Sequence, residues 1–132
     1  MSIKSLHAME LRARQRILVI EDDADVREFL GEILGDEGYS LEFAAEGHEG
    51  LTSFNTGAYC LVLTDLLMPT LHGMDVIKAI RDNGHSVPII AISGYPTVPD
   101  DVLTNGANAF FVKPFENDEL TLKIDQLLGN AA

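Results

Sequence analysis

Residues 60–69 read CLVLTDLLMP, an apolar run that ends in the carboxylate of Asp65 and is followed by a second apolar stretch and a proline. An apolar run of this length, bounded by turn residues, is typical of a buried strand. Two similar runs, at residues 17–20 and 110–112, also lead directly into charged residues. In an open parallel sheet the carboxyl ends of the strands share the edge where ligands usually bind. The sequence therefore predicts that charged groups from three strand ends meet at one site.

Helix-forming patterns alternate with these strand-like runs. Apolar residues between 26 and 34 recur at the i, i+3, i+4 and i+7 spacing of an amphipathic helix with one buried stripe, and Gly38 is expected to cap it. The same reading predicts strands at 39–44 and 87–92, helices at 47–55, 74–80 and 120–128, and a short helix of uncertain bounds within 95–108. Alternating strands and helices predict an α/β fold with a parallel sheet covered on both faces.

Length and charge restrict the organisation and the function. The 132 residues fit one domain, which we expect to span residues 16–130, with residues 1–15 as an N-terminal extension. This extension is either a frayed arm or, as the less favoured alternative, a partner-binding helix. With 21 acidic and 9 basic side chains the formal charge is −12, which argues against direct nucleic-acid binding. The apolar runs are too short to cross a membrane, and a signal core is lacking, so we expect a cytoplasmic protein.

The predicted site contains three carboxylates, those of Glu21, Asp22 and Asp65. Two like charges about 4 Å apart repel by about 4 kcal/mol at an effective dielectric constant near 20. The group should therefore bind a proton or a cation, and a few carboxylate oxygens favour Mg²⁺ with several waters retained. A nucleotide or flavin site is disfavoured, because the acidic turn after the first strand would repel phosphate.

Two further strand ends supply groups suited to a phosphoryl ligand. Lys113 offers an ammonium and Ser93 offers a hydroxyl. Phosphoryl transfer needs mainly positioning and neutralisation of charge, and the Asp65 carboxylate is a competent acceptor that would form an acyl phosphate. Each residue alone has a simpler explanation, such as the helix N-cap that we assign to Asp23. The combination of acidic, hydroxyl and basic groups at four strand ends favours a functional site.

These residues, in this order, resemble the receiver domain of two-component response regulators, of the stand-alone chemotaxis-regulator type. The resemblance covers nearly everything after residue 15. It rests on the motifs ILVIEDD (17–23), TDLLMP (64–69), GM (73–74), AISG (91–94), GA (106–107) and FVKPF (111–115). It implies a flavodoxin-like, doubly wound sheet of five parallel strands in the order 2-1-3-4-5.

The resemblance also implies a role for each site residue. Asp65 would be the phosphoacceptor and a metal ligand, Asp22 a direct ligand of Mg²⁺, Glu21 a ligand through water, and Leu67 a ligand through its backbone carbonyl. Ser93 would be the switch hydroxyl, Lys113 the phosphate-pairing ammonium, Phe110 the aromatic that moves with Ser93, and Pro114 the second residue of a cis peptide bond. Leu67 and Tyr95 are bulky where polar residues are frequent in the family, which bears on the lifetime of the phosphorylated state.

The implied function is that of a single-domain receiver. It would take a phosphoryl group from a sensor histidine kinase or a histidine phosphotransfer protein onto Asp65. It would then switch contacts with a downstream protein through its fourth helix, fifth strand and fifth helix, counted from the first strand. Apart from phosphorylating and dephosphorylating itself, it would not be an enzyme. The alternative is a receiver-like protein-binding module that works without phosphorylation.

Overall fold

The computed structural model describes residues 2–94 and 101–130 of the chain. Within these residues, helices alternate with strands from the first element to the last. The elements are α1 (Ile3–Ala13), β1 (Arg16–Ile20), α2 (Ala24–Asp36), β2 (Ser40–Ala44), α3 (Gly47–Thr56), β3 (Leu61–Asp65), α4 (Gly73–Asp82), β4 (Ile89–Ser93), α5 (Asp101–Thr104), β5 (Ala109–Val112) and α6 (Asn117–Leu128).

The five strands form one parallel sheet in the order β2-β1-β3-β4-β5. In its register Ile20 lies beside Thr64, Asp65 beside Ile92, and Ser93 beside Val112. The predicted fold class and strand order are confirmed. Because neighbouring strands end at the same level, the residues that end or follow β1, β3, β4 and β5 lie side by side at the carboxyl edge of the sheet.

Side chains alternate between the two faces of the sheet and build two cores. Leu18 and Ile20 of β1 pack toward α3, α4 and α5, whereas Ile17 and Val19 pack toward α2 and α6. All four are fully buried. Burying one such side chain stabilises the fold by about 1.5–3 kcal/mol, so the helices are held on both faces mainly by hydrophobic contact.

Local signals set the ends of α2. The carboxylate of Asp23 accepts hydrogen bonds from the backbone N–H groups of Asp25 and Val26, so the predicted N-cap is confirmed. At the other end Glu37 is the C-cap, and Gly38 follows with a φ of 97°, in the left-handed region that favours glycine. This turn brings the chain directly into β2.

Helix α1 lies outside both cores, and its contacts with the rest of the chain include several polar ones. Ile3 and Leu6 are exposed, whereas Arg12 pairs with Asp125 of α6 at 2.9 Å and Gln15 bonds to Asn130. The favoured prediction of a frayed arm is therefore wrong for residues 3–13, which form a helix that contacts α6 through Arg12. The division into residues 1–15 and 16–130 stays a prediction.

The segment after β4 contains the short helix that the sequence predicts within residues 95–108. Residues 95–100 lie outside the described residues, and α5 that follows spans only Asp101–Thr104. It is the fourth helix counted from β1, and α6 is the fifth. No helix among residues 2–94 and 101–130 combines the length and apolar character that spanning a membrane requires.

Candidate functional site

The carboxyl edge of the sheet brings Glu21, Asp65 and Lys113 into direct contact. The Lys113 ammonium lies 2.8 Å from Asp65 Oδ2 and 3.2 Å from Glu21 Oε2. These residues follow β1, end β3 and follow β5. Residues separated by 92 positions along the chain therefore meet because parallel strands share one edge.

Asp22 completes a cluster of three carboxylates. One carboxylate oxygen from each of Glu21, Asp22 and Asp65 lies within 4.8 Å of the others. Asp22 is exposed, while the other two are buried. The donors are all carboxylate oxygens, which suit a hard divalent cation such as Mg²⁺, and the exposed side leaves room for water ligands. The residues present therefore fit the cation that the sequence predicted.

The carboxylates are only partly compensated by Lys113. Burial, reinforced by the hydrogen bond and charge of Asp65, raises the pKa of Glu21 to about 7, against the opposing charge of Lys113. Burial alone would lower the pKa of Lys113, but Asp65 and Glu21 outweigh it and raise that pKa. Three carboxylates share one ammonium, so a proton or a metal cation would relieve the remaining repulsion.

Backbone geometry orients the Asp65 side chain. Its Oδ1 accepts a hydrogen bond from the backbone N–H of Leu67 at 3.0 Å, while Oδ2 accepts from Lys113. A Cβ on Gly73 would lie 2.1 Å from the backbone oxygen of Asp65, so α4 can begin against this strand end only with glycine there. The Leu67 side chain is 46% exposed, two residues after Asp65. Tyr95, its counterpart after Ser93, lies outside the described residues.

Ser93 ends the neighbouring strand β4 and is fully buried. Its backbone oxygen accepts a hydrogen bond from the N–H of Lys113 at 2.7 Å, which fixes the start of the segment that carries the ammonium. The peptide bond between Lys113 and Pro114 is cis. Phe110 on β5 is half-buried and packs against the core on the α3, α4 and α5 side.

A small apolar cavity, which the sequence analysis missed, borders the site. Its volume is about 380 Å³, and its lining residues are Asp25, Val26, Phe29, Lys113, Pro114 and Phe115. The sequence analysis placed Phe29 in the buried stripe of α2. That assignment is wrong, because Phe29 is 39% exposed and its ring lies 6.3 Å from the ring of Phe115. Helical periodicity identifies an apolar face but does not show that a loop leaves part of it uncovered.

Comparison with known families agrees with this geometry. Residues 17–125 match the response regulator receiver domain family. Among curated proteins, the chain is 40% identical over 111 residues to the transcriptional regulatory protein DltR of Streptococcus agalactiae, covering 83% of this chain and 50% of that protein. It is 34% identical over 119 residues to PcoR of Escherichia coli, covering 89% and 53%. The chain spans about half the length of these curated relatives.

Solved structures give the same result. The response regulator TrrA of Thermotoga maritima, in complex with Mg²⁺-BeF, is 38% identical with a TM-score of 0.81, over 86% of this chain and 99% of that one. The receiver domain of the sensor histidine kinase PA1611 of Pseudomonas aeruginosa, with a magnesium ion in its active-site cleft, is 30% identical with a TM-score of 0.79, over 87% and 98%. The chain therefore belongs to the response regulator receiver domain family, as the sequence indicated.

Proposed function

We propose that this chain is a phosphoryl-accepting receiver of a two-component phosphorelay, with Asp65 as the acceptor and Mg²⁺ as the cofactor. One observation carries the proposal. The Asp65 carboxylate ends β3 with the Lys113 ammonium 2.8 Å from one of its oxygens and with the carboxylates of Glu21 and Asp22 within 4.8 Å. This arrangement offers a nucleophile, a cation for the incoming charge and ligands for a metal.

The transfer step follows from the positions of these groups. A carboxylate oxygen of Asp65 forms a bond to the phosphorus of a phosphohistidine, and the P–N bond breaks as the imidazole nitrogen keeps its electron pair. The ammonium of Lys113, released from Asp65 Oδ2, pairs with a phosphoryl oxygen, and the Ser93 hydroxyl donates to another. A bound Mg²⁺ would neutralise charge that spreads over the phosphoryl oxygens.

The ligands of that metal are assigned from the acidic cluster. Asp22 and Asp65 would coordinate Mg²⁺ directly, the backbone carbonyl of Leu67 would supply a further oxygen, and Glu21 would reach the ion through water. This division suits the observed burial, because Asp22 is exposed whereas Glu21 is fully buried and already bonded to Lys113. TrrA and the PA1611 receiver domain, which carry magnesium, support the choice of ion.

The phosphodonor would be a sensor histidine kinase or a histidine phosphotransfer protein. The apolar cavity beside the site supports a protein donor rather than only a small molecule. Phe29 and Phe115 line it next to Lys113, so an apolar helix face of a donor could bury them while presenting its phosphohistidine to Asp65.

Phosphorylation would act on protein contacts at α5, β5 and α6. To invert a 99:1 equilibrium, the phosphoryl group must favour the active state by about 5.5 kcal/mol. Hydrogen bonds to charged groups contribute about 1.5–3 kcal/mol each, so new bonds from Ser93 and Lys113 approach this value, with Phe110 following Ser93. Ser93→Ala should therefore accept phosphate but lose phosphate-dependent binding to a downstream protein. Normal binding would refute the switch assignment.

The proposed activity is limited to the chain itself. It would catalyse its own phosphorylation and dephosphorylation, and it would act in the cytoplasm.

Intact mass spectrometry tests the acceptor. The protein is incubated with Mg²⁺ and acetyl phosphate, in parallel with Asp65→Asn and with the exposed-site control Asp75→Asn. We expect one phosphoryl adduct on the native chain and on the control, and none on Asp65→Asn. Absence of an adduct across several donors would favour the phosphorylation-independent binding module instead.

A further inference from the structure

Arg27, in the first turns of α2, contacts the turn that carries two of the predicted metal ligands. Its Nη1 donates a hydrogen bond to the backbone oxygen of Glu21 at 2.7 Å. Side chains on a helix lean toward its N-terminus, which lets Arg27 reach back over the turn. The guanidinium is partly buried, and Glu21 is fully buried, so this is a charge-assisted bond to a carbonyl shielded from water.

The guanidinium binds a neutral carbonyl in the most acidic part of the chain. Across residues 2–94 and 101–130, the ion pairs within 4.0 Å do not include Arg27, and the ammonium at the cluster is that of Lys113. Arg27 therefore contacts the backbone of the turn and does not neutralise the carboxylates of Glu21 and Asp22.

The bond fixes one particular peptide group. The backbone N–H of Glu21 donates to the oxygen of Ala44 at 3.0 Å, which ties this residue to β2. Its carbonyl belongs to the peptide group between Glu21 and Asp22, and Arg27 sets the orientation of that group. The direction in which the chain leaves β1, and with it the position of the Asp22 carboxylate, depends on both anchors.

We propose that Arg27 is a positioning residue for the Mg²⁺ site. It holds the carbonyl of Glu21 so that the carboxylates of Glu21 and Asp22 converge with that of Asp65. This inference rests on the proposed function. Outer groups that orient metal ligands typically change metal affinity by about 10- to 100-fold when they are removed.

Positioning and simple charge predict opposite effects. A guanidinium near the cluster repels a divalent cation, so deleting its charge alone would make Mg²⁺ bind more tightly. Deleting a positioning bond would make Mg²⁺ bind more weakly. The sign of the change therefore separates the two roles.

Arg81 provides a matched control. It is also a partly buried arginine that donates to backbone carbonyls, those of Gly106 and His85, and it lies on α4 away from the acidic cluster. Arg81→Met should lower the unfolding temperature without changing the affinity for Mg²⁺. Arg27→Lys keeps the charge and provides a shorter, single ammonium donor.

Calorimetric titration with Mg²⁺ decides the question, using the full chain and the variants R27M, R27K and R81M. We expect the Kd to rise about 10- to 100-fold in R27M, to lie between the native and R27M values in R27K, and to stay unchanged in R81M. An R27M Kd equal to or below the native value overturns the inference. If R27M does not fold, R27K decides the question. An R27K Kd for Mg²⁺ equal to the native value would overturn the inference, because the charge alone, without the geometry of the guanidinium, would then be sufficient. A native chain that binds no Mg²⁺ would overturn the proposed function as well, so the two failures are distinguishable.

Discussion

The two edges of the sheet carry polar clusters of similar size but different balance. The carboxyl-edge cluster combines three carboxylates with one ammonium, and its members are Glu21, Asp22, Asp65 and Lys113. The amino-edge cluster combines two carboxylates with one guanidinium and three neutral groups, and its members are Arg12, Gln15, Glu37, Tyr39, Asp125 and Asn130. The first cluster has a formal charge of −2. The second has a formal charge of −1, and its additional carboxylate, that of Glu37, is 41% exposed.

This difference in balance changes what each cluster does. At the amino edge, burial and the hydrogen bond to Asp125 raise the pKa of Tyr39 to about 12, so its hydroxyl stays protonated and donates to that carboxylate. The groups satisfy one another and hold α1, β2 and α6 together. At the carboxyl edge, the excess of carboxylates over ammonium leaves a repulsion that a bound cation would relieve. The more nearly balanced cluster stabilises the fold, whereas the less balanced one is suited to binding.

The largest effect should follow from removing the ammonium of the carboxyl-edge cluster. Lys113→Met leaves the buried carboxylates of Glu21 and Asp65 without a cation. In metal-free buffer at pH 8 the free energy of unfolding should fall by about 3 kcal/mol, and millimolar Mg²⁺ should restore part of it. Urea unfolding measures both quantities. Lys78→Met, which removes an exposed ammonium on α4, is the control, and an equal loss in the two variants would contradict the comparison.

The next effect concerns the carboxylate of the amino-edge cluster. Asp125 pairs with Arg12 at 2.9 Å and accepts the hydroxyl of Tyr39. Asp125→Asn should lower the free energy of unfolding by about 2 kcal/mol, because the charge-assisted bonds from Arg12 are lost and Arg12 keeps only the longer pair with Glu37 at 3.5 Å. Its affinity for Mg²⁺ should match the native value. If Asp125→Asn loses no more stability than the control Asp82→Asn, which changes an exposed carboxylate on α4, the pair of Arg12 and Asp125 does not hold α1.

The pH dependence of stability sharpens the contrast further. The pKa of Glu21 is about 7 in the folded chain, whereas its ordinary value is 4.5. Between pH 4.5 and 7 the folded state therefore binds more protons than the unfolded state. Stability contributed by the protonated carboxyl is present below about pH 4.5 and is lost as the pH rises through 7, by at most about 1.4 kcal/mol per pH unit.

Urea unfolding of metal-free protein at several pH values measures this slope. Glu21→Gln should flatten it and should be more stable than the native chain at pH 8. The exposed Glu32→Gln should keep the native slope. Identical slopes for the native chain and Glu21→Gln would mean that ionisation of the buried Glu21 carboxyl does not destabilise the folded state.

The smallest effect is expected at Tyr39. Tyr39→Phe removes a hydroxyl that donates to Asp125 and accepts from Asn130, while Arg12 continues to neutralise the carboxylate. Thermal unfolding should show a loss of about 1 kcal/mol and no change in the response to Mg²⁺. A loss as large as that of Asp125→Asn would mean that the hydroxyl, rather than the ion pair, holds the cluster.

The sequence predicted the carboxyl edge better than the amino edge for a physical reason. Asp65, Ser93 and Lys113 end or follow apolar runs that can be recognised locally, and parallel pairing then brings them together without further information. The contacts of Arg12 with Asp125 and of Gln15 with Asn130 join residues 113 and 115 positions apart. No periodic pattern marks such pairs, so the sequence predicted only an N-terminal extension for residues 1–15 and not its contacts with α6.

Two other features depended on packing that the sequence does not express. Phe29 matches the apolar spacing of α2, yet the segment after β5 leaves it facing the cavity instead of the core. Arg27 reads as an ordinary polar residue of an amphipathic helix. Its bond to the backbone of Glu21 depends on how the acidic turn folds over the start of α2.

The central claim, that the carboxyl edge is completed by a divalent cation, is tested most directly by thermal unfolding of the native chain and of Asp22→Ala, each with and without millimolar Mg²⁺. We expect Asp22→Ala to be the more stable of the two without metal, because one repelling carboxylate is gone. We also expect Mg²⁺ to raise the unfolding temperature of the native chain alone. An unfolding temperature of the native chain that does not respond to Mg²⁺, or an equal rise in Asp22→Ala, would show that no cation completes this edge through Asp22.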